Sequence, residues 1–397
     1  MTVGLISLAG YLPAKPVPQA KKTSLVAYLR GNTRLPEAYI QDIERTGQLP
    51  GKIETNEEGW SDQPWFSTWL QRLPEKKHQA PFQGAVERRR VPLDPTSLRG
   101  SIIPHPMLPS DAETLAGAMA LHKAGISKDE IDLVLVSSQV PDMALPCNAS
   151  LVQDKLQLTN AGAYGMDTCC SSFVTMLQVA TALVKSGIKR KVLVIASYID
   201  SHVTDRSDYF SVNTGDASVA GIVTLTEDGA GYLGSHSLSD GSRHQGIIFE
   251  DRSPGLFMRK EGGATLRKNY TTFKDQDICK EIAAHAQEDL SRVVFKTLEI
   301  AGMEVADVDF LVTHQPVAWA PEAWRSAIGV AKEKFFDTFT TYGNIANCSA
   351  PVNLLEALER GFVKAGNKVM MASSGAGENQ IAVFMTVPRT LAENCQL

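Results

Sequence analysis

This chain of 397 residues lacks the features of a membrane or secreted protein. No stretch approaches the roughly 20 consecutive apolar residues that a membrane-spanning helix needs. The first residues, Met1 to Gly10, have no basic segment and alternate as a β-strand does, so we expect no signal peptide. The sequence therefore predicts a cytoplasmic globular protein with no membrane span.

The chain also has little excess charge and no metal-binding cysteine pattern. A formal net charge of −5 provides no broad basic surface, so we expect no nucleic-acid partner. The 6 cysteines include no Cys-x-x-Cys pair and no cysteine–histidine cluster at zinc spacing, so we expect no metal site. This use of cysteine in so large a chain is typical of a reducing cytosol.

What the chain does have is an internal repeat. Residues 124–136 align without a gap with residues 301–313, and residues 191–197 align with residues 368–374 at the same offset. Each copy places an apolar run after a helix end that carries a glycine, which is typical of a buried parallel strand. With 43% apolar residues, the chain can bury a large core.

The repeat predicts two similar α/β halves packed face to face, with functional sites at their junction. We place the halves at residues 1–228 and 229–397. Chance similarity between two strand–helix units is the alternative, and two matches at one offset count against it. Residues 14–110 fit neither half, because they are polar and proline-rich. They predict short helices and long connections over the core, forming either a lid or a plain surface embellishment.

Two adjacent cysteines, Cys169 and Cys170, lie between an extended stretch and an apolar helix that runs to Lys185. A thiol at this place is close to the positive end of the helix and to its unpaired backbone N–H groups. Both favour the thiolate, which is the attacking species. Taken alone, the segment fits a buried structural cysteine equally well.

Two further segments carry polar side chains at the ends of predicted elements. His314 follows the predicted strand 308–312, and ligands of α/β proteins bind at such carboxyl ends. Asn344 follows Gly343 in a polar loop that opens the predicted helix 352–364. Taken singly, such a histidine is more often a satisfied core group and such an asparagine more often a turn residue.

Taken together and in this order, the three segments resemble those of the condensing enzymes of the thiolase superfamily, most closely the β-ketoacyl-acyl carrier protein synthase III group. Cys170 stands at the nucleophile of that family's Ala-Cys-Ser/Ala-Gly-Phe pattern, and His314 begins its His-Gln-Ala-Asn pattern. Residues 342–351 match its Tyr/His-Gly-Asn segment, which ends in proline, without a gap. The resemblance covers about residues 1–13 and 85–390.

The chain departs from the family pattern in several places. The glycine-rich Phe-Gly-Asp-Gly-Ala-Gly segment is reduced at residues 214–219, and the closing Gly-Gly-Gly loop is Gly-Ala-Gly at residues 375–377. His314 is followed by Gln-Pro-Val, and an insertion at about residues 14–86 separates the first strand from Glu87. We expect a specialised pathway, such as polyketide synthesis, rather than housekeeping fatty-acid synthesis.

The resemblance implies a thiolase-like α/β fold, in which two similar βαβαβαββ halves pack as a five-layer α-β-α-β-α sandwich. It also implies a homodimer, acyl-carrier-protein or coenzyme A thioesters as substrates, and no further cofactor. Cys170 would store the acyl group, and the N–H groups of Cys170 and Ala376 would stabilise the oxyanion. His314 and Asn344 would hold the carbonyl of a malonyl- or β-ketoacyl thioester and stabilise its enolate while carbon dioxide leaves.

Two other functions remain open on the sequence alone. One is an acyltransferase that passes the acyl group to an oxygen or nitrogen nucleophile. The other is a catalytically silent partner subunit, and the retention of Cys170, His314 and Asn344 speaks against it. Cys169 is the alternative nucleophile.

Weaker candidates lie outside these motifs. Two roles are open for three side chains of the insertion, stacking on the adenine of coenzyme A or packing in a lid. The residues are Trp65, Trp69 and Arg72. A basic helix end either docks an acidic carrier protein or is simply a solvated surface. Its residues are Lys189, Arg190 and Lys191. Asp142 and Glu378 are the acids nearest the matched loops, and nothing singles out either as a base.

Overall fold

The computed structural model describes residues 2–55, 87–92, 106–203, 213–251 and 269–395. Its strands are β1 (Val3–Tyr11), β2 (Lys52–Thr55), β3 (Glu87–Arg90), β4 (Leu133–Ser138), β5 (Gly162–Gly165), β6 (Val192–Tyr198), β7 (Ala217–Leu225), β8 (Tyr232–Ser239), β9 (Ile247–Asp251), β10 (Asn269–Phe273), β11 (Phe310–Thr313), β12 (Lys368–Gly375) and β13 (Asn379–Thr386). Its helices are α1 (Gln19–Asn32), α2 (Glu37–Thr46), α3 (Pro109–Ala124), α4 (Asn148–Lys155), α5 (Ser172–Lys185), α6 (Gln276–Ala301), α7 (Ala320–Ile328), α8 (Phe339–Tyr342), α9 (Ser349–Glu359) and α10 (Arg389–Cys395).

The first sheet has the strand order β1-β7-β6-β4-β5. Strands β4, β5 and β6 run parallel to one another, and β7 pairs antiparallel with both β6 and β1. The side chains of β6 are buried along its whole length, as a sheet covered on both faces requires. The apolar runs that predicted buried strands therefore form the centre of this sheet.

The second sheet repeats the arrangement of the first. Its order is β8-β13-β12-β11, in which β11 and β12 are parallel and the other two pairs are antiparallel. In each half the first strand thus lies beside the last, and the strands of the repeated segments are the parallel ones. The first sheet ends in sequence at Leu225 and the second begins at Tyr232. The domain boundary at residue 228 itself remains a prediction.

Two helices separate the sheets, and the others cover the outside. Apolar side chains of α5 and α9, such as Phe173 and Leu354, share one core with β6 and β13, where Val194 and Val383 lie. Helices α3 and α4 cover the outer face of the first sheet, and α6 and α7 cover the outer face of the second. The predicted five-layer α-β-α-β-α sandwich is confirmed.

Helices α1 and α2 belong to the predicted insertion and pack beside α3. Their buried residues Leu25, Leu29, Tyr39 and Ile43 belong to the same core as Leu115 of α3. The described part of the insertion is therefore anchored to the outer layer of the first half. Its remaining residues lie outside the described ranges. No helix among the described residues is long and apolar enough to cross a membrane.

The expectation that the insertion and its flank contain only short helices and connections was wrong at β3. Its residues pair antiparallel with β2, from Lys52 opposite Arg90 to Thr55 opposite Glu87. The three arginine side chains of β3 are buried. Arg89 donates to the Pro13 carbonyl at 3.0 Å, and Arg90 pairs with Asp200 at 2.8 Å. This run of charges therefore forms a strand whose side chains are buried.

Candidate active site

The cysteine pair lies on a sharp turn between β5 and α5. Cys169 has a φ of +55°, in the left-handed region that residues with a side chain rarely adopt. Side chains on either side hold the turn: Asp167 accepts a hydrogen bond from the Cys169 N–H at 2.8 Å, and the Ser172 hydroxyl donates to the Cys169 carbonyl at 2.6 Å.

The end of β12 brings the second half against this turn. The Ser373 hydroxyl donates to the Cys170 carbonyl at 2.9 Å. A Cβ atom at Gly375 would collide with the carbonyl oxygen of Thr168, so the two segments approach this closely only with glycine there. The predicted Gly-Ala-Gly loop therefore lies beside the cysteines, as the resemblance implies.

The two thiols face each other with 3.9 Å between their sulfur atoms. The hydrogen bond from the Cys170 thiol lowers the pKa of Cys169, and the N–H groups of Ala376 and Cys170 act in the same direction. The same thiol–thiol hydrogen bond and burial raise the pKa of Cys170. The resemblance implies that these two N–H groups stabilise the oxyanion. Here both also act on the pKa of the Cys169 thiol.

His314 lies at the end of β11 and is only 2% exposed. Its backbone N–H donates to the Ala372 carbonyl of β12 at 3.1 Å, which fixes the residue beside the Ser373 contact. Burial lowers the pKa of its imidazole to about 3, against the opposing effect of the Ala346 carbonyl. The ring is therefore neutral at physiological pH and carries a single N–H donor.

Gln315 connects the histidine to the asparagine loop. It is fully buried, and its amide donates to the Gly343 carbonyl at 2.7 Å. Its carbonyl oxygen accepts from the Thr338 N–H at 3.1 Å and from the Asn353 amide at 3.0 Å. The sequence offered Gln315 only as part of the His-Gln match, and its side chain sets the spacing between the two loops.

The side chain of Asn344 is oriented by its own loop. Its Oδ1 accepts the Ala346 N–H at 2.9 Å. Its backbone N–H donates to the Asn213 carbonyl at 2.6 Å, and its carbonyl accepts from Gly215 at 3.2 Å. Oδ1 is thus occupied, and Nδ2 is bonded to none of the described residues. The amide therefore presents Nδ2 as a hydrogen-bond donor.

The three predicted residues meet around Ala346. Cys170 packs against the apolar cluster that Ala346 forms with Val140 and Tyr198. A hydrogen bond to the Ala346 backbone acts on the pKa of the His314 ring, and Asn344 holds the Ala346 N–H. Cys170 from the first half and the two neutral side chains from the second half thus meet around Ala346, at the carboxyl ends of β6 and β11.

The other candidates do not join this group. The insertion residues Trp65, Trp69 and Arg72 lie outside the described residues. The basic residues precede β6, at the opposite end of the strands from the cysteines; they are Lys189, Arg190 and Lys191. Lys189 donates to the Asp132 carbonyl and Lys191 pairs with Glu130. Carrier-protein docking at this patch stays a prediction, and the fold places it a strand length, roughly 20 Å, from the thiols.

Two buried acids near the site have raised pKa values. Burial raises the pKa of Glu378, which follows the Gly-Ala-Gly loop, to about 7. Burial does the same for Glu113 of α3, also to about 7, although the Ser197 hydroxyl and the Asn148 amide donate to it. The sequence analysis missed Glu113; the available signal was a carboxylate within the apolar pattern of α3. Asp142 accepts from the Ser110 N–H at 2.9 Å.

Family models match the chain on both sides of this site. The model described as 3-oxoacyl-[acyl-carrier-protein (ACP)] synthase III matches residues 164–241, which carry the cysteines. The model of the C-terminal part of the same synthase matches residues 298–387, which carry His314 and Asn344. The β-ketoacyl-[acyl-carrier-protein] synthase III of Thiobacillus denitrificans is 31% identical over 276 residues, which are 68% of this chain and 81% of that protein. This chain belongs to the β-ketoacyl-acyl carrier protein synthase III family.

Solved structures extend the comparison to almost the whole chain. The 3-oxoacyl-[acyl-carrier-protein] synthase III from Aquifex aeolicus superposes with a TM-score of 0.68 at 23% identity, over 97% of this chain and 99% of that one. The priming β-ketosynthase from the R1128 polyketide biosynthetic pathway superposes with a TM-score of 0.70 at 20% identity, over 98% and 96%. These likenesses establish the thiolase-like fold. The family predicted from the cysteine, histidine and asparagine segments is confirmed.

Proposed function

We propose that this member of the synthase III family forms a carbon–carbon bond by decarboxylative Claisen condensation. A Cys-bound acyl group would be joined to a malonyl- or β-ketoacyl thioester. The observation that carries the proposal is the meeting of a thiol pair with two neutral hydrogen-bond donors, His314 and Asn344, around Ala346. A thiol accepts an acyl group, and paired neutral donors suit an enolate.

In the first half-reaction a thiolate attacks the carbonyl of the acyl thioester. The negative charge on the tetrahedral oxygen is stabilised by backbone N–H groups of Cys170 and Ala376, and the thiolate of the donor leaves. The family pattern assigns the nucleophile to Cys170. The turn at Cys169 and the approach of Gly375 supply the geometry that brings the two N–H groups together.

Cys169 is the second candidate for the nucleophile. The neighbouring Cys170 thiol and the Ala376 N–H both lower its pKa. Single Cys169→Ala and Cys170→Ala variants separate the two assignments, because alanine removes a thiol without leaving a large cavity. After incubation with acyl-CoA, mass spectrometry should find no stable adduct on Cys170→Ala. An adduct on that variant and none on Cys169→Ala would move the nucleophile to Cys169.

In the second half-reaction the extender thioester loses carbon dioxide. The electron pair of the broken carbon–carbon bond becomes an enolate. Its oxygen accepts hydrogen bonds from Asn344 Nδ2 and from the His314 N–H, which exchanges the Ala346 carbonyl for the enolate. The enolate carbon then attacks the acyl-cysteine carbonyl, and the cysteine thiolate leaves. A neutral imidazole donates here without transferring a proton, which the low pKa of His314 favours.

Exchange of either donor tests this assignment. His314→Ala and Asn344→Ala should leave acylation by acyl-CoA largely intact, because neither contacts the nucleophile's N–H groups. Carbon dioxide release from malonyl-carrier protein should fall by roughly 10²–10³-fold, the loss typical of one oxyanion donor. A variant that fails mainly at acylation would show that its residue acts in the first half-reaction.

The competing functions predict different outcomes for the wild-type protein. Labelled acyl-CoA, with and without malonyl-carrier protein, should give an acyl-enzyme and then carbon dioxide. Acylation with no carbon dioxide release under any extender would favour transfer to an oxygen or nitrogen nucleophile. Neither acylation nor release would favour a silent partner subunit.

We further propose acyl-CoA or acyl-carrier-protein thioesters as substrates, no additional cofactor and a specialised pathway in the cytosol. The likeness in fold to a polyketide priming synthase supports the pathway. We propose a homodimer as well. The edge strand β5 and the loop before α4 expose Met143, Leu145 and Tyr164, and an apolar sheet edge of this kind needs a cover.

A further inference from the structure

We propose that a buried ion pair behind Asn344, made by Arg90 and Asp200 and extended by the Thr214 hydroxyl, positions the Asn344 amide for the second half-reaction. Arg90, Asp200 and Thr214 are thus positioning residues that act through Asn344. The inference rests on the proposed function, because it assigns the donor role to that amide.

The network is closed around the Asp200 carboxylate. Asp200 is fully buried and Arg90 is 2% exposed. The Arg90 Nη1 lies 2.8 Å from Asp200 Oδ2, and the Thr214 hydroxyl donates to the same oxygen at 2.6 Å. The Tyr198 hydroxyl donates to Asp200 Oδ1 at 2.7 Å. Because a buried charge is retained only with such partners, the position of Thr214 is tightly specified.

Thr214 transmits this position to the backbone of Asn344. The two residues form a parallel bridge, in which the Asn344 N–H donates to Asn213 and the Asn344 carbonyl accepts from Gly215. Both backbone groups of Asn344 are thus held by the neighbours of Thr214. A Cβ atom on Gly215 would collide with the Tyr342 carbonyl, so the two segments lie in direct contact.

The other side of the same segment is tied to β3. The Asp216 carboxylate accepts from the Val91 N–H at 2.7 Å and from the Ser201 hydroxyl at 2.5 Å. The Asp216 N–H donates to the Arg89 carbonyl at 2.9 Å. The segment of β3 and Val91 therefore holds residues 213–216 in two ways, directly at Asp216 and through the Arg90–Asp200 pair at Thr214. Residues 213–216 in turn hold Asn344.

One arm of the network, Tyr198, packs in the same apolar cluster as Cys170, whereas the Thr214 arm leads to Asn344. Acylation depends on the cysteine turn and on the N–H groups of Cys170 and Ala376, which the Ser373 and Gly375 contacts hold. A small displacement of Asn344 should therefore reduce enolate stabilisation and leave acylation unchanged. A general loss of structure would reduce both.

Thr214→Val is the informative variant, because it removes the hydroxyl and keeps the shape. Truncating Arg90 would leave a buried carboxylate without its cation and unfold the protein. Thr214→Ser keeps the hydroxyl. Thr224→Val removes the hydroxyl of a half-buried threonine of β7 and is the matched control. Acylation by acyl-CoA and carbon dioxide release from malonyl-carrier protein are measured for each.

In Thr214→Val, acylation should stay within about twofold of wild type and carbon dioxide release should fall about tenfold, less than for loss of the donor itself. Thr214→Ser should recover most of the release, and Thr224→Val should match wild type. Equal losses in both half-reactions, or no loss in either, would overturn the inference.

The double variant Thr214→Val/Asn344→Ala decides whether the effect passes through the amide. If it does, the double variant releases carbon dioxide no more slowly than Asn344→Ala alone, whereas independent effects multiply and would contradict the inference. An Asn344→Ala variant with full release would instead refute the proposed role of Asn344. Impaired Asn344→Ala beside an unaffected Thr214→Val refutes only the positioning network.

Discussion

At the scale of single residues, burial sets the protonation states on which the chemistry depends. His314 is neutral because its ring has lost contact with water, and burial holds its pKa at about 3. The same cause acts in the opposite direction on carboxyl groups, where it raises the pKa of Glu113 and Glu378 to about 7. At all three positions burial is the largest cause, and hydrogen bonds or neighbouring charges have smaller effects.

The state of His314 predicts the pH dependence of decarboxylation. Its imidazole is already neutral at every pH above about 3, so no histidine titration should affect this step between pH 5 and 8. Single-turnover release of carbon dioxide from pre-acylated enzyme, measured across that range, should show no inflection near 6.5. An inflection there that disappears in His314→Gln would show that the charged ring takes part.

Glu113 predicts a decline of stability as the pH rises. Its carboxyl group has a pKa of about 7 when folded and near 4.5 when unfolded, so the folded state is favoured at low pH. That advantage is lost between pH 4.5 and 7 and corresponds to ~3 kcal/mol. Glu113→Gln, which is neutral throughout, should lose less stability between pH 5 and 8 in urea titrations. The exposed Glu393→Gln should follow wild type, and parallel curves for all three proteins would refute the assignment.

At the scale of elements, the site depends on close approaches between segments distant in sequence. The turn at Cys169 is strained, and the segment that begins at Gly375, in the other half, lies in close contact with it. The sequence predicted both segments, because their glycine and cysteine patterns are local. It did not predict β3, because the acid that pairs with the buried Arg90, Asp200, lies 110 positions away in the sequence.

Gly375→Ala should therefore impair the cysteine turn. The added methyl group would collide with the Thr168 carbonyl, and the segments would have to separate at a cost of ~1–3 kcal/mol. We expect a folded protein with a lower melting temperature and a slower acylation step, measured by the burst of thiol released from acyl-CoA. Gly241→Ala, at a glycine with open space around it and no positive φ, controls for a general effect of substitution. Normal acylation in Gly375→Ala would show that the loop yields without moving the turn.

At the scale of the whole molecule, the repeat in the sequence predicted the two-sheet architecture correctly. The repeated strands β4 and β11 and the repeated strands β6 and β12 occupy equivalent places in the two sheets. The helix predicted over residues 352–364 ends at Glu359 in the structure. The prediction was too long because the apolar pattern continues through Phe362 and Val363 after the helical turns have stopped. The role of Ala346 could not be predicted, since it follows from three segments meeting in space.

The proposed dimer predicts the effect of charge at the exposed sheet edge. Leu145 is 85% exposed beside β5, and Leu145→Asp would place a charge in the proposed interface. The variant should behave as a monomer in light scattering at concentrations where wild type is a dimer. Ile300→Asp introduces the same charge at an exposed apolar residue of α6 and should leave the dimer intact. A monomeric wild-type protein, or a dimeric Leu145→Asp protein, would contradict this interface.

The contact between Gly375 and the cysteine turn also has a consequence for synthesis on the ribosome. The reactive pair emerges with the first half, but the loop that completes its surroundings is made much later. At ~5–20 residues per second, the chain between Cys170 and Gly375 takes roughly 10 to 40 s to appear. During that interval the thiols lack the Ala376 N–H, so the nascent first half carries its cysteines before it can use them.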